Sequence, residues 1–73
     1  MHVRWIVKRD LKDVLEIERQ ARGWWNEDDF EWWLRHRSVV GQVVEDNLII
    51  VGFMVYELRK QSIDLLNLAV LTD

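Results

Sequence analysis

The sequence predicts an α+β fold of order β-α-α-β-β-β, in which two helices cover one face of a four-stranded antiparallel sheet. Residues 39–71 divide into three strand-like stretches that are rich in branched apolar residues and separated by short turn signals. Residues 10–22 and 26–37 instead carry apolar residues at the three- and four-residue spacing of a helix. Residues 2–8 alternate between an apolar and a mixed set, which predicts a first strand near the edge of the sheet.

Length and composition restrict the classes of protein to which the chain can belong. Its 73 residues predict a single domain, residues 1–73, with a small core. A net charge of −3, from 13 acidic and 10 basic residues, gives no electrostatic footprint for nucleic acid. We expect no membrane partner, since no apolar run approaches the roughly 20 residues that span a bilayer. The lack of cysteine and of a signal-peptide pattern leads us to expect a cytoplasmic protein.

The first helix is predicted to begin with Asp10 as its N-cap and to end near Arg22. Glu18 lies four residues before Arg22, in the orientation that favours an ion pair along a helix. Gly23 follows the last turn and suits the left-handed conformation that often ends a helix. The apolar side of this helix is expected to comprise Leu11, Val14, Leu15, Ile17 and Ala21.

The second helix is predicted to begin at Asn26, another N-cap residue, and to bury Phe30, Trp33 and Leu34. Trp32 lies off that apolar stripe. We expect Trp25 and Trp33 to belong to the core, with Trp24 and Trp32 at its partly exposed rim. Five Trp and no Pro are unusual in a natural domain with several turns, and are compatible with engineering as well as with chance.

The three later strands are predicted over residues 39–45, 48–59 and 62–71, with turns at Asp46-Asn47 and Lys60-Gln61. Gly52 indicates a bulge or a close backbone approach. Alternation predicts that both faces of the last two strands are apolar, whereas a sheet with one solvated face alternates apolar with polar residues. Two helices cover only one side, so something else must cover the other. In the third strand, one predicted face comprises Ile49, Val51, Phe53 and Val55, and the other comprises Leu48, Ile50, Met54 and Tyr56. In the fourth strand, one predicted face comprises Ile63, Leu65 and Ala69, and the other comprises Leu66, Leu68 and Val70.

Four short motifs, in this order and spacing, resemble the GNAT superfamily of N-acetyltransferases, and most closely its ribosomal-protein alanine N-acetyltransferase branch. The motifs are DLKDVLEIE at residues 10–18, WNEDDF at 25–30, VGFMVYE at 51–57 and LNLAV at 66–70. Each is weak alone, and together they extend over most of the chain. The resemblance implies a strand, two helices and three antiparallel strands, which agrees with the order predicted independently above.

The resemblance also implies which residues would contact acetyl-CoA. In the family, the fourth strand pairs with the pantetheine arm, and this strand corresponds here to Leu68, Ala69 and Val70. The connection between the helices, residues 24–26 here, would shape the acceptor site. The family's phosphate-binding loop should begin shortly after Val70, but the chain ends at Asp73. We therefore expect a GNAT-like half-domain without catalytic activity, in which the cofactor strand is vestigial and no cofactor is bound.

Three functional hypotheses follow. The first is self-association as a homodimer, through the bare sheet face or the edge of the fourth strand, because both surfaces invite pairing. The second is acetyl transfer, with Glu57 or Tyr56 as base or acid. The third is a Trp-rich surface, engineered or natural, that binds another protein. The residues expected at the interface are Trp24, Trp32, Leu66, Leu68 and Val70.

Two polar features have simpler interpretations. His2 and His36 lie far apart in the sequence without other ligands nearby, so we expect no metal site. Asn67 lies among apolar neighbours, and two roles remain open for it: a hydrogen bond across the sheet, or a position at the centre of an interface.

Overall fold

The computed structural model describes residues 1–72 and confirms the predicted fold class and element order. The two helices precede three long strands, and a short strand opens the chain. No helix within residues 1–72 combines the length and apolar character needed to cross a bilayer. The elements are β1 (His2–Trp5), a 3₁₀ turn (Lys8–Asp10), α1 (Leu11–Ala21), α2 (Glu27–Leu34), β2 (Val39–Asp46), β3 (Ile49–Leu58) and β4 (Ile63–Val70).

The sheet is fully antiparallel, and its strands lie side by side in chain order, β1-β2-β3-β4. Both helices pack on one face: α1 lies against β3 and β4, and α2 lies against β2. The core fills the space between this face and the helices, and the opposite face has no covering layer within the described residues. The core side chains are Leu11, Val14, Ile17, Phe30, Val39, Val43, Ile50, Phe53, Val55 and Ala69.

The helix ends follow local sequence signals in two cases out of three. The Asn26 side chain accepts a hydrogen bond from the Asp29 amide at 2.9 Å, so its predicted N-cap role is confirmed. Gly23 has a φ of +68°, which confirms the predicted left-handed residue after α1. Asp10 occupies the predicted N-cap position of α1, but it already has helical dihedral angles and its side chain makes no capping bond to that helix. A 3₁₀ turn precedes α1 and occupies the place of the expected cap.

The buried carboxylate of Asp10 instead anchors β1 to the first helix. It accepts bonds from the Arg4 guanidinium at 2.7 and 2.9 Å and from the Val7 amide at 2.8 Å. Arg4 also binds Glu45 across the sheet, at 3.0 Å. The hydrogen bond from Arg4 lowers the pKa of Asp10 below its ordinary value, against the opposing effect of burial. The ion pair therefore stabilises the fold at neutral pH, and this stabilisation is lost in acid as the pH falls through that lowered pKa.

A β-bulge in β3 changes which of its residues face the helices. Val51 has no partner on β2, because Gly52 pairs with Val44 and Ile50 pairs with Glu45. The shift turns Ile50 toward the helices, where it is buried, so the face predicted for it by strict alternation is wrong. The prediction of a bulge or close approach at Gly52 is confirmed, since a Cβ there would lie 3.1 Å from the Ala69 carbonyl oxygen.

A second bulge has the same effect in β4. Leu66 is the extra residue between Asn67, which pairs with Val55, and Leu65, which pairs with Tyr56. Leu66 consequently packs on the core, on the helix side of the sheet. Strict alternation grouped it with Leu68, and that grouping is wrong because the bulge inserts one residue into the period of two.

The β2–β3 turn has the predicted length of two residues but lies one residue later. Asp46 still belongs to β2, and the two turn residues are Asn47 and Leu48, with φ values of +53° and +68°. Positive φ at both positions is the pattern of the type I′ turn that suits a two-residue hairpin. Asn tolerates this conformation, but a leucine side chain does not.

Replacing Leu48 by glycine is therefore expected to stabilise the protein by about 1 kcal/mol, because glycine removes the Cβ clash at positive φ. Leu48 is 92% exposed, so the substitution removes almost no packing. Urea denaturation at fixed protein concentration measures the change. Leu48→Ala is the matched control: it removes the same side chain but keeps the Cβ, and should leave stability nearly unchanged. Equal stabilisation by both substitutions would contradict this explanation.

Candidate functional site

The candidate functional site is the sheet face that the helices leave uncovered, which we call the open face. Residues paired directly across antiparallel strands point to the same side of the sheet. Because Arg4 pairs with the buried Val43, its neighbours Val3 and Trp5 point away from the helices. Following the strand register then gives five rows across the open face. The rows are Asp46 and Ile49; Val3, Val44, Gly52 and Val70; Trp5, Gln42, Met54 and Leu68; Val40, Tyr56 and Leu65; and Leu58 and Ile63.

The open face is almost wholly apolar, and the charged side chain in its rows is Asp46, which is exposed at the hairpin end of β2. Its most exposed large side chains include Trp5, at 73% exposure, Ile63 at 64% and Leu65 at 60%. The polar atoms of the face are used within it, since the Tyr56 hydroxyl donates to the Gln42 side chain at 3.2 Å. A contiguous apolar surface of this kind is typical of an interaction site.

The free edge of β4 adjoins the open face. Within the described residues β4 pairs only with β3. The Leu71 amide donates to the Val51 carbonyl at 2.7 Å, which fixes the phase of the β3–β4 ladder. Bonded and non-bonded pairs alternate in such a ladder, so the backbone groups of Leu68 and Val70 point outward, away from β3. These two residues present both their side chains and their backbone groups for contact.

A polar network behind the edge holds the connection between the helices. The fully buried Glu18 carboxylate accepts bonds from the Trp24 amide at 2.8 Å, the Trp25 amide at 3.0 Å and the Asn67 side chain at 3.2 Å. The predicted ion pair between Glu18 and Arg22 is wrong, because α1 ends there and Glu18 turns inward to the loop. The hydrogen bond across the sheet that was one of the two roles left open for Asn67 is not what the described residues show: from a buried position on the helix side, Asn67 bonds instead to Glu18 of α1 and to Arg22.

Arg22 extends from the end of α1 to the outer edge of β4. One terminal nitrogen, Nη2, donates to the Asn67 side-chain oxygen at 2.8 Å and to the Leu68 carbonyl. The guanidinium also lies over the Trp24 ring, 4.6 Å from its centre. These groups line a shallow cleft of about 290 Å³ beside the edge, together with Leu65 and Leu66.

The remaining tryptophans form a separate cluster on the helix layer. Trp25 stacks on Trp33 with ring centres 6.0 Å apart, and both pack against the core, as predicted. Trp32 contacts the edge of Trp33 at 4.9 Å and the His36 ring at 4.4 Å, and is 53% exposed. The structure thus brings Trp24 beside β4, but it places Trp32 in a different part of the molecule.

Sequence reasoning located part of the open face. It named Leu68 and Val70, which lie there, and Leu66, which does not. It missed Leu65, because the bulge at Leu66 is not visible in the alternation. It also missed Trp5, although the apolar alternation of the first strand was a usable signal.

The residues considered for acetyl transfer do not converge. Glu57 lies on the helix side, where it accepts bonds from Ser38 at 3.2 Å and Arg59 at 3.4 Å. Its neighbour Tyr56 points to the open face. Among the suggested cofactor residues, Ala69 is buried beneath the helices and only Leu68 and Val70 are accessible. Residues 1–72 contain no group of three acidic, His or Cys side chains close enough to hold a metal ion.

No family model, curated protein or solved structure matches the chain.

Proposed function

We propose that the chain is a non-catalytic, GNAT-like half-domain that self-associates as a homodimer by stacking two open faces. The observation that carries this proposal is the continuous apolar surface across all four strands. Leaving such a surface in water is unfavourable, at about 25 cal/mol for each Å² of apolar area. A second copy is a fitting partner because the charge on this face, Asp46, lies at the exposed end of β2, so the apolar rows can pack on their own copy without burying an unpaired charge.

The size of the open face supports a stable dimer. The sheet has four strands, and β4 has 8 residues. With about 3.3 Å per residue and about 4.8 Å between strands, the face measures roughly 26 by 19 Å. Two such faces give about 1,000 Å² of flat area, and the side chains that protrude from the sheet add to the area that is buried. This reaches the lower range of specific protein interfaces, which bury about 1,000–1,200 Å² or more.

Stacking of faces is favoured over pairing of two β4 edges. An added strand would need the outward carbonyl of Leu68 as an acceptor, and Arg22 already donates to it. Two sheets that stack face to face keep their backbone bonds and bury only side chains, about 10 Å apart. The side chains of Leu65, Leu68 and Val70 therefore make the contact, without any change to the strand edges.

The proposal that the domain lacks acetyltransferase activity is supported by the same geometry. The strand that the resemblance assigns to acetyl-CoA has its accessible carbonyl at Leu68 engaged by Arg22. The suggested acid and base, Tyr56 and Glu57, point to opposite sides of the sheet. We also propose that the dimer acts in the cytoplasm.

The test is a charge placed at the centre of the proposed interface. The double substitution Leu65→Lys with Leu68→Lys should weaken dimerisation at least a hundredfold, because each dimer would bury four ammonium groups and lose four leucines. Sedimentation velocity over a concentration series measures the dissociation constant. Circular dichroism should show an unchanged fold, since both positions are exposed in the single chain.

Two controls decide which surface is responsible. Leu48→Lys makes the same chemical change at the hairpin tip, away from the open face, and should leave dimerisation unchanged. Replacing Trp24 and Trp32 together by Ala should also leave it unchanged, whereas a Trp-centred interface would be lost. If the double lysine variant dimerises as tightly as the original chain, the open face is not the interface.

A further inference from the structure

We propose that Arg22 protects the free edge of β4 from pairing with further chains. Its guanidinium binds the outward carbonyl of Leu68 and so prevents open-ended strand addition. This inference concerns the edge of the sheet and does not depend on the stacking of open faces. An unpaired edge strand with apolar side chains is a template for pairing with further chains. In β4 every residue on the open face is apolar, so this edge is prone to pairing with strands of other chains.

The position of Arg22 suits this role because its partners are fixed. Asn67, which accepts one of its bonds, is only 3% exposed and is itself held by Glu18. Trp24 supports the guanidinium from the other side. An incoming strand has to compete with the Arg22 guanidinium for the Leu68 carbonyl oxygen in order to pair there. A bond from a charged donor to a neutral acceptor is stronger than the neutral backbone bond that would replace it.

The opposite edge of the sheet carries the same arrangement. Arg4, held by Asp10 and Glu45, donates from Nη1 to the carbonyl of Trp5 at 3.1 Å. Ile6 donates to Gly41 across the β1–β2 ladder, and this phase makes the Trp5 carbonyl an outward group. An anchored arginine thus occupies an outward carbonyl at each edge. Pairing of β4 with β1 of the next copy would be head-to-tail, a kind of contact that can add copies without limit, and the two arginines oppose it from both sides.

The experiment replaces Arg22 by Met, which keeps an unbranched stem of similar length and removes every donor. Arg22→Met should form species larger than a dimer at tens of micromolar protein, seen by sedimentation velocity and by increased thioflavin T fluorescence. Arg19→Met is the matched control, because Arg19 is exposed on the same helix and pairs only with Glu16. It should sediment as the original chain does.

A second modification separates strand addition from unfolding. N-methylation of Val70, made by chemical synthesis in the Arg22→Met chain, removes an outward amide donor of β4 without touching the β3–β4 ladder. It should return the protein to its original mass if the large species form by edge pairing. The inference is overturned if Arg22→Met keeps the original mass, or if N-methylation fails to reverse the assembly. Both results are independent of the Leu65→Lys/Leu68→Lys comparison, which tests the open face alone.

Discussion

Replacing Glu18 by Ala is expected to destabilise the protein by about 3 kcal/mol or more. The substitution leaves two loop amides, those of Trp24 and Trp25, and the Asn67 side chain without their acceptor. A buried polar group left unsatisfied costs about 1–3 kcal/mol. The total stability of a 73-residue domain is roughly 4–11 kcal/mol, so the loss is a large share of it. Urea denaturation followed by Trp fluorescence measures the effect.

Glu16→Ala is the matched control for this prediction. Glu16 lies half a turn away on the same helix and pairs with Arg19 on the exposed surface. Exposed pairs contribute about 0–1 kcal/mol, so the control should change stability little. Glu18→Gln keeps one acceptor oxygen and should fall between the two. Similar stability for Glu18→Ala and Glu16→Ala would show that the buried network does not hold the connection between the helices.

Replacing Phe30 by Ala is expected to lower the free energy of unfolding by about 3–5 kcal/mol, which brings the chain close to unfolding at room temperature. The ring is fully buried and lies edge-on to Trp25 at 5.0 Å and to Phe53 at 5.4 Å. It is the fully buried side chain of α2 and packs on Phe53 of β3, so its removal leaves a cavity in the core. Thermal denaturation at fixed protein concentration gives the change, since the stability of a dimer depends on concentration.

Trp32→Ala provides the comparison on the same helix. Trp32 is larger than Phe30 but half exposed, and it contacts mainly Trp33 and His36. Its removal should lower the free energy of unfolding by about 1 kcal/mol or less. If Trp32→Ala destabilises the protein as much as Phe30→Ala, the core extends further along α2 than the structure indicates.

Much of the fold could be predicted because its signals are local. Asn26 begins α2 through its side chain and Gly23 ends α1 through its backbone conformation, and neither needs a distant partner. The strands of residues 39–71 were recognisable from composition and turn residues. Their two-sided apolar character also predicted a sheet with an uncovered apolar side, and the open face is that side.

The composition of the open face could not be predicted in full, because register is a property of two strands together. The bulges at Val51 and Leu66 change the face of the sheet to which part of each strand points its side chains. Neither residue type indicates a bulge in the sequence. Glu18 was predicted to pair with Arg22 because spacing along a helix was the available information. Its actual partners come from the loop and from β4, 49 residues away in the case of Asn67.

The mass of the original chain in solution tests the central claim most directly. Sedimentation equilibrium at low micromolar concentration should give twice the chain mass of 8.9 kDa, with a reversible shift toward the single chain on dilution. A single species of 8.9 kDa that persists to hundreds of micromolar would contradict the proposal that two open faces stack.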